Sequence, residues 1–124
     1  MRRLPSAVAW SISIILALLF VAVGYSKIWG TSAAVWNSRF VNWGYPAGSQ
    51  HVIGAVEIVS GLALLLPRSR KPAAASLVLV MAGALCTHLI HSELVRIISP
   101  LILGALALLL FFSPPATEYQ RATS

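Results

Sequence analysis

Four apolar stretches restrict this chain more than any other feature of it. They cover residues 7–29, 50–66, 73–91 and 95–113, and few charges interrupt them. About 20 helical residues cross the hydrocarbon core of a bilayer. Inside lipid each backbone N–H and C=O needs a partner within the protein, and a helix supplies these along its own length. The expected fold is an all-α membrane protein, a four-transmembrane-helix bundle forming a single domain over residues 1–124. Composition agrees. The chain is 58% hydrophobic and 10% charged, whereas soluble domains carry about 25% charged residues.

The positive charge indicates which way the spans run. Nine Lys/Arg against three Asp/Glu give a net charge of +6. The segment Pro67-Arg-Ser-Arg-Lys-Pro72 is basic, Arg2 and Arg3 precede the first span and Arg121 follows the last. Arg39 and Arg96 fall elsewhere. Four spans bring both termini to the side of loop 67–72, and the positive-inside rule makes that side cytoplasmic. The charge is thus a signature of topology in a lipid bilayer, and no nucleic acid partner is expected. The first stretch is too long for a signal h-region and is read as a retained helix; the alternative is three spans with 7–29 removed.

Segment 30–49 is too polar to cross and too aromatic for an ordinary loop. Trp36, Phe40 and Trp43 recur at helical spacing. A short amphipathic interfacial helix between spans 1 and 2 is expected on the outer side, with Trp29 and Tyr45 in the aromatic belt.

Glu57 is the only charge in the second stretch. A carboxylate at membrane depth costs roughly 2.5–3.5 kcal/mol on insertion scales, so its partner must be sought. The topology puts Lys27, Glu57, His88 and His91 in the outer half of the bundle. Gly54, Glu57 and Gly61 share one helical face, small enough for a neighbour to approach closely. Ala84, His88 and His91 share a face of the third span, beside Gly83 and Thr87, while Tyr25, Ser26 and Lys27 end the first. Glu57 is expected to pair with Lys27 or to hydrogen-bond His88. Three readings stay open: a buried polar network that fixes register, a pocket in which Glu57 and His88 handle protons, or a metal site from Glu57, His88 and His91 with His51. Of these the metal site is not the one adopted. Glu57, His88 and Lys27 are the candidate catalytic groups, and Tyr25, Trp43, Tyr45, Thr87 and His91 the candidate ligand contacts. Cys86 is the only cysteine; it excludes an intrachain disulfide and a Cys-x-x-Cys motif, and is expected to be a small buried packing residue.

Gly24-Tyr-Ser-Lys27-Ile-Trp-Gly30, Phe40-Val-Asn-Trp-Gly-Tyr-Pro46, Gly54-Ala-Val-Glu57, Leu64-Leu-Leu-Pro67 and Met81-Ala-Gly-Ala84-Leu-Cys-Thr-His88 occur in this order. Over about residues 10–112 the chain resembles the DoxX / DoxX-like family. The resemblance implies a four-helix protein of the bacterial inner membrane. Its recurring polar positions match Lys27, Trp43, Gly44, Tyr45, Pro46, Glu57, Thr87 and His88, with His91 left over. It also implies an accessory or quinone-linked subunit of a membrane oxidoreductase complex, quinone as the cofactor, and a membrane oxidoreductase or sulfurtransferase as the partner. The alternative is a self-contained membrane enzyme or binder in which Glu57 and His88 act as an acid–base pair on a small apolar substrate, by isomerisation, ring opening or hydrolysis. Small-solute transport is the weakest class. The small-residue faces, including Gly104 and Ala105, also leave room for a homo-oligomer.

Overall fold

A computed structural model describes residues 4–113, and these contain helices and turns without strands. Arg2, Arg3 and Arg121 lie outside the described residues. The helices are α1 (Ser6–Ile28), α2 (Gly30–Asn42), α3 (Ser49–Ala63), α4 (Arg70–Ile90) and α5 (Ile98–Phe111); a 3₁₀ turn, Leu94–Ile97, leads into α5.

Each boundary has a local cause. Trp29 is extended and Gly30 takes φ 68°, a left-handed conformation that costs glycine little, so α1 stops and α2 starts in a new direction. Pro72 lies in the first turn of α4 and Pro100 in the first turn of α5, where no intrahelical N–H is needed. Helix α4 begins inside the expected loop 67–72, because Arg70 and Ser69 tie back to the preceding turn. Arg70 Nε donates to Leu64 O at 3.0 Å and Ser69 Oγ to Ala63 O at 2.7 Å. These bonds satisfy carbonyls that the end of α3 leaves free.

Among the described residues three helical segments are long and apolar enough to cross a bilayer: Ser6–Ile28, Arg70–Ile90 and Leu94–Phe111. Helix α3 is shorter than the expected span 50–66. Its 15 residues reach about 22 Å at 1.5 Å per residue, against a core of about 30 Å. The chain turns at Leu64, Leu65 and Leu66 instead of continuing the helix.

Helices α1 and α3 pack antiparallel in the most extensive contact of the fold. Gly24 meets Gly54 and Ala17 meets Gly61. A Cβ on Gly24 would stand 2.6 Å from Gly54 O, and one on Gly54 would stand 2.7 Å from Gly24 O. The two backbones touch, as the small face of Gly54, Glu57 and Gly61 requires. Helices α4 and α5 form a second antiparallel pair, with Met81 against Gly104.

The apolar core occupies one end of the bundle. Leu16, Phe20, Leu64, Ala74, Leu77, Ala107 and Leu110 are buried there, and the Arg70 guanidinium lies 4.5 Å from the Trp10 ring centroid. The other end, beneath α2, is not filled. Cys86 corrects the expectation of burial: it is exposed, on the same outer face of α4 as Leu79, Ala82 and Leu89.

Candidate functional site

A cavity of about 920 Å³ lies under α2, between α1, α3, α4 and α5. Its walls are mainly apolar: Leu19, Phe20 and Val23 from α1, Val52 and Ile53 from α3, Leu79, Val80 and Met81 from α4, and Leu103 from α5. Polar groups enter it at a few points only.

The Gly24–Gly54 contact carries two of them. One turn beyond it on each helix stand Lys27 and Glu57, and Lys27 Nζ donates to Glu57 Oε1 as an ion pair. Glu57 is fully buried and Lys27 is 6% exposed. Of the two expected partners of Glu57, the lysine is the one in contact. Glu57 Oε2 is buried with no hydrogen-bond partner among the described residues. Lys27 Nζ also lies 4.6 Å from the centroid of Trp36, whose Nε1 donates to Ser26 Oγ at 3.0 Å.

Helix α2 covers the cavity with its aromatic face. Phe40 is buried, and its ring packs against Trp36, Trp43 and Tyr45 with centroids 5.4–6.3 Å apart. The Trp36, Phe40, Trp43 stripe read as an interface anchor therefore faces the protein interior. Trp29, in contrast, is exposed. Tyr45 is partly exposed yet its hydroxyl lies 2.6 Å from Thr87 Oγ1. Thr87 Oγ1 in turn donates to Gly83 O at 2.8 Å, so its proton is engaged and the Tyr45 hydroxyl is the donor between the two.

His88 does not reach Glu57. Its Nδ1 lies 3.2 Å from Glu93 Oε1, with Trp43 edge-on to its ring at 5.4 Å. Trp43 Nε1 donates to the same oxygen at 2.8 Å, and Arg96 Nη1 donates to Glu93 Oε2 at 2.7 Å. The bond with His88 foremost, then that from Trp43 and the charge of Arg96, hold the Glu93 carboxyl below its ordinary pKa despite the opposing effect of desolvation. Glu93 thus ties the end of α2 to the start of the 3₁₀ turn.

Six of the eight candidate residues line this one cavity: Lys27, Trp43, Tyr45, Glu57, Thr87 and His88. Two do not. Tyr25 is 58% exposed, because two residues from Lys27 is more than half a turn around α1. His91 is exposed at the end of α4, where its Nδ1 lies 2.8 Å from Thr87 O and caps the helix. The proposed grouping of Glu57, His88, His91 and His51 is not assembled, and no three His, Cys, Asp or Glu side chains cluster as metal ligands among the described residues.

Sequence reasoning missed Glu93, and it gave Arg39 and Arg96 no part beyond topology. Glu93 was detectable as one of three acids in the chain, five residues after His88. Arg39 lies with its Cζ 5.0 Å from the centroid of Trp36, at the rim of the cavity.

A family model described as the DoxX-like family matches residues 11–110. No curated protein and no solved structure matches the chain.

Proposed function

The chain belongs to the DoxX-like family and is a membrane protein, and on that premise we propose that it is an accessory or quinone-linked subunit of a membrane oxidoreductase complex in the bacterial inner membrane. Four spans are proposed, with α3 crossing together with the apolar turn 64–66, and both termini and loop 67–72 in the cytoplasm. A sulfurtransferase is the alternative partner.

One observation carries the ligand side of this reading: a buried Lys27–Glu57 pair opens onto a cavity whose other walls are largely hydrocarbon. Ionic groups are costly there unless they bond to something. A quinone fits the donor set. Lys27 is a cation with hydrogens to donate to a carbonyl, and the orphaned Glu57 Oε2 is an acceptor for a hydroxyl. Trp36, Phe40 and Trp43 offer flat apolar surfaces to a ring. A bound quinone supplies reversible two-electron, two-proton chemistry. The residues of this chain bind and orient, and the α2 cover excludes water.

The test is direct binding of decylubiquinone to the chain in neutral nanodiscs. Glu57→Gln removes a charged acceptor and is expected to weaken binding by at least about tenfold. If that variant does not fold, Gly83→Leu, which fills the cavity from an open wall, takes its place with the same expectation. Unchanged binding in the folded variants rejects the site, and absence of any oxidoreductase among proteins cross-linked to the chain in native membranes rejects the accessory role. The second reading, acid–base work on a small apolar substrate, is supported by Glu57 and His88 facing the same cavity. It requires turnover by the isolated chain that both Glu57→Gln and His88→Ala abolish.

A further inference from the structure

The charges around the cavity do not cancel. Its lining contains three cations, Lys27, Arg39 and Arg96. Glu57 takes Lys27 and Glu93 takes Arg96. Arg39 contacts no carboxylate among the described residues. It is not loose, however: its guanidinium lies against the ring of Trp36, which is itself pinned to Ser26. Arg39 is exposed at the rim, and its contact with the Trp36 ring pre-orients it to meet an anion there.

The apolar part of the same cavity reaches the outside of the bundle. Val52 is 65% and Leu79 73% exposed although both line it. Leu79 lies on a helix long and apolar enough to span, and Val52 on α3, which is proposed above to cross; on that reading this side of the cavity faces lipid rather than water. On the α4 wall, one turn after Leu79, lies Gly83, where an added Cβ would meet nothing within 4 Å. The cavity therefore has a cationic rim at one end and a hydrocarbon opening along its side.

We propose that this cavity also binds a single-chain amphiphile with an acidic headgroup, the anion held by Arg39 and the hydrocarbon chain lying over Gly83. The occupant comes from the bilayer, because the opening is lateral. The volume is that of a pocket for one drug-sized ligand, so the amphiphile and a quinone exclude one another. Acidic amphiphiles thereby act as competing ligands of the subunit. The inference rests on the cavity being a ligand site, but not on quinone being the ligand.

Binding of radiolabelled oleate, oleyl alcohol and decylubiquinone to the full chain in phosphatidylcholine nanodiscs tests it, with empty nanodiscs subtracted. Oleate and its alcohol share a chain and differ in charge. Oleate is expected to bind roughly tenfold more tightly than the alcohol, and Arg39→Gln to remove that advantage, as loss of a charge-assisted contact predicts. Arg39→Lys should retain most of it. Gly83→Leu should weaken both, and decylubiquinone should displace oleate. Equal binding of oleate and alcohol overturns the proposal, as does oleate binding indifferent to both Arg39→Gln and Gly83→Leu, which is partition into lipid. Displacement of oleate by millimolar inorganic phosphate alone assigns the rim to a free anion and also overturns it. Decylubiquinone binding without oleate binding overturns this inference and leaves the quinone reading standing.

Discussion

A lysine and a glutamate withdrawn from water together are stable only while each has the other. Lys27 and Glu57 are in that position: both are buried, they bond directly, and only Glu57 Oε2 and the ring of Trp36 offer anything further. Breaking such a pair from one side leaves an uncompensated charge and costs about 3–5 kcal/mol, whereas replacing both members with apolar groups is often neutral. Lys27→Met and Glu57→Leu should each destabilise the protein by about that amount, and the double variant by less than either alone. Reversible unfolding in mixed micelles measures this; additive losses would show that the two charges are not coupled. The pair was legible in the sequence because an intramembrane charge demands a partner and topology left few. Tyr25 and His91 lie at the depth of the other candidates, yet neither lines the cavity. Lys27 and Tyr25 share a depth but not a face, and His91 has passed the end of its helix. Glu93 escaped because a carboxylate in an outer turn has no burial cost to betray it; only its proximity in space to Trp43 and His88 gives it a role.

At the scale of helices, the α1–α3 contact positions the site, since it sets the height at which Lys27 meets Glu57. Its closeness rests on two glycines whose missing side chains let backbone meet backbone. Gly24→Ala would put a methyl group 2.6 Å from a carbonyl oxygen that no rotamer change can move. The helices must separate, and a cost of about 1–3 kcal/mol is expected. Gly83→Ala supplies the contrast. That position is helical with open space before it, so the added methyl should be neutral or stabilise by up to about 1 kcal/mol through helix propensity. Unfolding midpoints of the two variants decide the matter; equal effects would mean that the close contact is not maintained. Helix positions were largely readable from the apolar runs, and the small face of α3 pointed inward as its spacing indicated. The ends were not. Nothing in the run 50–66 announces that Leu64 leaves the helix, because the cause is non-local: Arg70 and Ser69 bond to the carbonyls of Leu64 and Ala63 and begin α4 early. The inward turn of the aromatic stripe on α2 was likewise invisible, since an aromatic face suits lipid headgroups and a protein cavity equally well.

For the whole molecule the number of crossings turns on α3. Three of the described segments have the length and hydropathy to cross, and α3, at 15 residues, falls about 8 Å short of a typical core. Yet α3 lies antiparallel along α1, exposed Val52, Val59 and Leu62 run its length, and exposed Leu66 lies in the turn that follows. A short apolar helix locked to a long one thins the bilayer locally at a cost of fractions of a kcal/mol per Å. Withdrawing α3 from lipid would break the most extensive contact in the fold. The bundle should therefore stay embedded with α3 crossing, which puts Ser6 and Arg68 on one side of the membrane and Ser38 on the other. Single cysteines at these three positions, introduced with the exposed Cys86 changed to alanine, can be labelled from one side by an impermeant maleimide. Labelling of Ser6→Cys and Arg68→Cys together, and of Ser38→Cys only after the membrane is opened, is the expected pattern for inverted vesicles. Labelling of Ser6→Cys and Arg68→Cys from opposite sides would mean that α3 does not cross, and the cavity under α2 would then need a different relation to the bilayer.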